Sequence, residues 1–194
     1  VFREWAPNAT EIYLVGDFND WKETERYRAK RIEGTGNWEL RLSEKAVSHG
    51  DLYKMHVYWN GGNGERIPAW ARRVVQDEQT HIFSAQVWQP EHAYEWSKKK
   101  FKPTTSPLLI YECHIGMGQD AEKVGSYTEF KELVLPRIIE DGYNCIQIMA
   151  IQEHPYYGSF GYHVSSFFAA SSRFGTPEEL KSLIDEAQIG RAHV

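Results

Sequence analysis

Thirteen consecutive positions, 151–163, read Ile-Gln-Glu-His-Pro-Tyr-Tyr-Gly-Ser-Phe-Gly-Tyr-His: four aromatic rings, two histidines, a carboxylate, two glycines and a proline. That mixture makes a poor helix and a poor strand. It suits a loop leaving the end of a buried strand, where polar and aromatic groups converge on a ligand. By residue type, Glu153 and His154 have the makings of an acid–base pair.

Such a loop needs a scaffold. Ahead of it, Tyr143-Asn144-Cys145-Ile146-Gln147-Ile148-Met149-Ala150 has strand character, and Leu108–Ile115 is a near-continuous apolar run suited to a strand buried on both faces. Between them Ser126 and Glu129 have capping-box spacing. The helix they open carries Phe130, Leu133, Val134, Ile138 and Ile139 at helical spacing, with Pro136 expected to kink it and Asp141-Gly142 to end it. After the loop, Thr176-Pro177-Glu178-Glu179 opens a second helix with Leu180, Leu183, Ile184 and Ala187 as its apolar stripe. The order β-α-β-α calls for a parallel sheet. Two such units cannot close an eight-stranded barrel, so the sheet is incomplete or the chain is a fragment.

The first half reads differently. Phe2–Pro7, Glu11–Val15, Trp38–Leu42, Leu52–Trp59, Arg66–Pro68 and His81–Phe83 are short extended runs. Turn residues separate them: Gly16–Trp21, Gly34–Asn37 and a hairpin turn at Asn60–Gly64. This spacing predicts an antiparallel β-sandwich over residues 1–94. Residues 95–107, lysine-rich with two prolines, predict a linker, and the run Lys98–Pro103 reads as a solvated connector.

Composition excludes several classes. At 194 residues and 41% hydrophobic content, one large or two small packed domains are feasible. A net charge of −5 argues against a nucleic-acid partner. No apolar stretch approaches the roughly 20 residues that span a bilayer, and no signal peptide is seen. Cys113 and Cys145 lie in apolar runs without CxxC or metal spacing, and read as reduced core residues of an intracellular protein. No cofactor or metal is expected. The chain opens inside a strand pattern without Met, so Val1 is not expected to be the true start.

Two sets of residues carry a family resemblance. Phe2-Arg3-Glu4-Trp5-Ala6-Pro7-Asn8-Ala9 with Gly16-Asp17-Phe18-Asn19-Asp20-Trp21 resembles the starch- or glycogen-binding sandwich that precedes the catalytic barrel in many α-amylase superfamily enzymes. Ile110–Met117, Leu135–Ile138, Gly142–His154 and Tyr156–His163 closely resemble the first two strand–helix units of the barrel in eukaryotic 1,4-α-glucan branching enzymes. The likeness covers almost the whole chain.

The resemblance implies an all-β immunoglobulin-like sandwich (1–94), a linker (95–107) and the start of a (β/α)8 TIM barrel (108–187), truncated. It implies a transferase that cleaves α-1,4 links with retention and passes the segment to a 6-hydroxyl, making α-1,6 branches. The partner is an α-glucan: glycogen, amylose or amylopectin. The family's nucleophile, acid/base and third carboxylate lie on later strands, so no residue here is expected to be catalytic. What remains is binding. Tyr162 matches the tyrosine that stacks on the sugar beside the cleaved bond. His163 is either a neighbouring contact or a loop-ordering hydrogen-bond donor. Glu153 and His154 become loop supports. On the sandwich, Trp5, Pro7 and Trp21 and the turn with Gly36 and Asn37 are the implied glucan contacts; Trp5 and Trp21 as core anchors is the competing reading. A glucan-binding regulatory module and a debranching hydrolase of the same superfamily are the rival functions. Location follows as cytoplasmic, or plastid in a plant. Residues 188–194 depart from the family pattern and are expected to be a non-native tail.

Overall fold

Alternating apolar and polar residues wind the first half into short antiparallel strands: β1 (Phe2–Trp5), β2 (Ala9–Gly16), β3 (Lys30–Ile32), β4 (Asn37–Leu40), β5 (Leu52–Trp59), β6 (Gly62–Arg66), β7 (Val74–Gln76) and β8 (Phe83–Gln86). The computed structural model describes residues 1–97 and 107–189. Its two compact units are Val1–Glu91 with Ser166–Ala169, and His92–Ser165 with Ala170–Val194. The lysine run from 98 and residues 190–194 lie outside the described residues.

In the first unit one sheet has the order β1–β4–β3 and the other β2–β5–β8–β7. The long strand β5 carries β2 along one edge, and β6 and β8 end to end along the other. Period-two alternation turns Ile12 and Leu14, Trp38 and Leu40, and Met55 and Val57 into one shared core, which makes the unit a sandwich. Strands β3 and β7 were not foreseen, because three residues are too few for alternation to register. The expected turn at 60–64 shrinks to Asn60–Gly61, since β6 already pairs from Gly62.

The second unit contains β9 (Ile110–His114), a helix in three parts, β10 (Cys145–Met149), β11 (Gln152–Glu153) and α3 (Pro177–Ile189); β12 (Ser166–Ala170) spans the division between units. The three helical parts are α1 (Tyr127–Glu129), a π stretch (Phe130–Val134) and α2 (Leu135–Glu140). β9 and β10 pair in parallel, from Cys145↔Ile110 to Met149↔His114. Both helix starts are capping boxes: Ser126 with Glu129, and Thr176 with Glu179. Thr128 donates its hydroxyl proton to Glu179 at 3.1 Å, joining the two starts.

Three expectations need correction. Phe130, Leu135 and Ile138 are the buried helix residues, whereas Leu133 and Ile139 are exposed. The π stretch explains the shift: it adds one residue to a turn and moves the apolar face along by one. Pro136 then falls in the first turn of α2, where a missing N–H is tolerated. Second, the run Leu108–Ile115 is not buried on both faces along its length, for Leu108, Leu109 and Ile110 are exposed, and β9 has β10 as its one strand neighbour among the described residues. Third, the expected linker 95–107 begins anchored, together with Tyr94 just before it. The buried Asp185 carboxylate on α3 accepts from Tyr94 Oη (3.1 Å), Ser97 N (2.9 Å) and Ser97 Oγ (2.8 Å).

Candidate functional site

The sandwich brings four of the expected contacts to one corner. Trp5 ends β1 opposite Asn37, the first residue of β4. Ala6 N donates to Gly36 O at 3.0 Å and closes the corner. Gly36 adopts φ +72°, and a Cβ there would lie 3.0 Å from Pro7 Cβ and 3.2 Å from Trp5 Nε1. Only glycine therefore lets the turn lie under Pro7 and the indole. Trp5 is 63% exposed, while Trp38 is buried and donates its indole N–H to Ala6 O at 2.9 Å. The anchor of this corner is Trp38; Trp5 faces outward.

The corner borders an open groove of 1010 Å³ in the same unit, lined also by Trp70, Trp88, Arg72 and Phe168. Trp70 and Phe168 stack at 4.5 Å between centroids with 20° between planes. Sequence reading missed this pair: Trp70 showed no periodicity, and Phe168 lies far along the chain.

Trp21 is held separately, by the turn after β2. Gly16 passes so close to β5 that a Cβ would sit 2.3 Å from Leu52 O. Asn19 closes the turn, accepting from Gly16 N at 2.9 Å and donating to Leu14 O at 3.0 Å. Asp17 accepts from the Trp21 indole N–H at 2.9 Å and from Leu52 N at 2.8 Å. Trp21 is 38% exposed, so it is a pinned surface ring and not a core anchor. Lys54 Nζ lies 6.0 Å from its ring centroid and pairs with Glu65 at 2.8 Å.

In the second unit the loop leaves β10 through Ala150 at φ +58° and returns through Phe160 at φ +51° and Gly161 at φ +83°. A Cβ on Gly161 would lie 2.4 Å from Ala150 Cβ, so the return packs directly on the strand exit. Glu153 and His154 are fully buried. Glu153 accepts from His154 N at 3.2 Å on one oxygen and from Ser172 N at 2.7 Å on the other. Its carbonyl accepts from Ser165 N at 2.9 Å. His154 Nδ1 donates to Gln152 O at 3.0 Å, which fixes the tautomer. The Glu153 carboxylate and the Nδ1 edge of His154 thus hold the loop, while the buried His154 Nε2 has no hydrogen-bond partner among the described residues. Tyr157 donates its hydroxyl proton to Gly116 O at 3.2 Å and anchors the loop floor. Tyr162 is 77% exposed, positioned through its N–H to Ser159 O at 3.0 Å. His163 is exposed too, and its imidazole makes no hydrogen bond among the described residues.

Among the described residues, no group of three or more His, Cys, Asp or Glu is placed to hold a metal, and no helix is long and apolar enough to cross a membrane. Burial pushes the Cys113 thiol up to about 12, which leaves it a packing group.

Residues 1–71 match carbohydrate-binding module 48 (Isoamylase N-terminal domain), an immunoglobulin-like all-β module. Solved structures of α-amylase superfamily enzymes share the fold. Pullulanase type I from Bacillus subtilis aligns with a TM-score of 0.77 at 19% identity, over 98% of this chain and 30% of its own. Pullulanase from Bacillus acidopullulyticus aligns at 0.75 and 18%, over 98% and 27%. By sequence the resemblance is to eukaryotic 1,4-α-glucan-branching enzymes, and it runs through both units. Those of Dictyostelium discoideum and Saccharomyces cerevisiae are 46% and 43% identical over 96% of the chain, and that of Felis catus is 45% identical over 95%. The chain spans 28% of the length of the first two of these relatives and 27% of the third.

Proposed function

We propose that this chain is the glucan-holding part of a 1,4-α-glucan-branching enzyme. The whole protein cleaves an α-1,4 bond with retention and passes the segment to a 6-hydroxyl, on glycogen, amylose or amylopectin. The observation that carries the reading is the Trp5–Pro7–Gly36–Asn37 corner. It holds an outward indole beside an amide side chain, the pairing that grips the apolar face and the hydroxyl rim of a glucose ring. Trp21 and the Trp70–Phe168 stack extend the aromatic surface.

In the second unit, parallel β9 and β10 with their helices serve as the first two strand–helix units of a (β/α)8 barrel. The loop 151–163 then lies at the carboxyl end of a barrel strand, where such enzymes bind substrate. Tyr162 stacks on a sugar there, and His163 stands beside it. Retaining transfer needs two carboxyl groups roughly 5 Å apart, one of them free to attack. Glu153 cannot serve, because both its oxygens accept backbone N–H groups. The chemistry belongs to other parts of the whole enzyme. The compartment follows the polymer, cytosol for glycogen and plastid for starch. The debranching alternative rests on likenesses below 25% identity, which speak to fold alone.

Affinity electrophoresis in amylose gels tests the proposal. Retardation of the chain, weakened about tenfold in Trp5→Ala, is expected; equal retardation of variant and parent overturns the corner. The 194-residue chain is expected to leave the iodine stain of amylose unchanged. A shift would place the chemistry here after all.

A further inference from the structure

The first unit carries a cationic edge that the glucan reading does not use. Residues 26–31 read Arg-Tyr-Arg-Ala-Lys-Arg, four cations in six positions of a chain whose net charge is −5. They border a cavity of 350 Å³ lined by Glu25, Arg28, Ala29, Lys30, Arg31 and Trp38. Arg28 is committed, paired to Glu11 at 3.0 Å and to Glu25 at 3.3 Å, and this also neutralises the one carboxylate of the lining.

Lys30 and Arg31 are not committed in this way. Lys30 stands opposite Glu39, but Glu39 is taken by Arg3 and by Arg41, the latter at 2.7 Å. Hydrogen bonding from Arg3 holds the Glu39 carboxyl below the usual range, so it stays an anion satisfied elsewhere. Arg31 donates from Nη2 to Pro7 O at 2.7 Å, and its guanidinium lies 5.9 Å from the Trp38 ring centroid. Neither Lys30 nor Arg31 has a carboxylate partner among the described residues. The carbonyl and the ring orient the Arg31 fork and leave most of its donors open.

We propose that this edge binds a phosphate monoester carried on glucose. β3 is the outer strand of its sheet, and neighbouring residues on a strand point to opposite faces. Lys30 and Arg31 therefore bracket the edge from its two sides. A phosphate takes two parallel hydrogen bonds from the Arg fork and a point charge from Lys. A sugar carrier follows from position. Arg31 is tied to the carbonyl of Pro7, inside the proposed glucan corner. The registers Trp5↔Asn37↔Ile32 and Arg3↔Glu39↔Lys30 put Lys30 on the same sheet face as Trp5. Strand spacing and rise set their Cα atoms roughly 12 Å apart, within reach of a short oligosaccharide. This extension rests on the glucan reading of Trp5.

Equilibrium binding of the full chain to phosphorylated amylopectin, and to the same polymer after phosphatase treatment, tests it. Glucose 6-phosphate and inorganic phosphate serve as competitors. The phosphorylated polymer is expected to bind about tenfold tighter at low salt, with the gap narrowing as salt is raised. Lys30→Gln replaces an exposed side chain that makes no ion pair among the described residues, and it should cut the gap to about threefold or less. Arg31→Lys keeps the charge but loses the fork and should do the same. Equal binding of the two polymers overturns the site. So does a gap that persists in both variants, or competition by inorganic phosphate as strong as by glucose 6-phosphate, which marks an adventitious ion only. If neither polymer binds while glucose 6-phosphate still binds the parent and not Lys30→Gln, the glucan reading fails and the phosphate site stands, with a free sugar phosphate as its ligand.

Discussion

The sandwich corner and the loop 151–163 are built from the same kinds of residue and arrange them in opposite ways. Taken with the separate Trp21 turn, the sandwich surface combines aromatic rings, a carboxylate, an amide and a glycine that lets backbone approach closely, and the loop combines the same with imidazoles in place of the amide. On the sandwich the rings face out, and Asp17 lies at the surface, tying the Trp21 indole to the start of β5. In the loop the carboxylate and one imidazole turn inward, and Glu153 ties together stretches of backbone far from water. In both places the acid beside the aromatics is scaffold. What separates an outward aromatic surface from a support is burial, which residue type does not show.

The largest effect that tests this contrast is on stability. Glu153→Ala strands one buried and one partly buried backbone N–H donor and should cost roughly 3 kcal/mol in denaturant unfolding. Asp17→Ala, at the surface, should cost about 1 kcal/mol while loosening Trp21. Equal costs would erase the difference between the two regions. Next comes Gly161→Ala, for which about 2 kcal/mol or more is expected, because φ is +83° and the new methyl would press on Ala150. Ala150→Gly should be neutral or gain up to about 1 kcal/mol, since it relieves a left-handed alanine. Tyr162→Ala should change stability by less than about 0.5 kcal/mol and yet weaken oligosaccharide binding to the whole enzyme, as an outward ring requires.

The smallest effect is in pH. Its ion pair with Lys123, with Ser126 adding hydrogen bonds, lowers the Glu129 carboxyl to about 2 from 4.5. A depressed folded-state value means a contribution that is complete above the ordinary carboxylate range. That contribution fades as pH falls from about 4.5 towards about 2. Glu129→Gln should flatten this acid limb in thermal melts of the second unit, and an unchanged limb would place the acid sensitivity elsewhere.

Much of the fold was legible, and the limits are physical. Strand β5 announced itself by alternation and β2 by its β-branched and aromatic run, and the Ser126–Glu129 capping box and the helix start at Thr176 stood where the sequence put them. The short strands β3 and β7 gave no periodic signal. At the candidate site, Trp5, Pro7, Gly36 and Asn37 were named from family resemblance, and the structure brings them together at one corner. Trp70 with Phe168 could not be foreseen, since nearly a hundred residues separate two rings that only folding stacks. The bracketing of an edge by Lys30 and Arg31 was equally hidden, because it depends on a strand too short to read.

The π stretch in the second unit bears on chain length. On an ideal α-helix, Phe130 and Leu135 would lie about 140° apart around the axis, yet both are buried. One surplus residue in Phe130–Val134 makes up the difference. Deleting a single exposed residue there, such as Leu133, would bring Phe130, Leu135 and Ile138 to ordinary α spacing without turning any of them to solvent. The helix thus contains a point where the gene can lose one codon and the core face stays where it is.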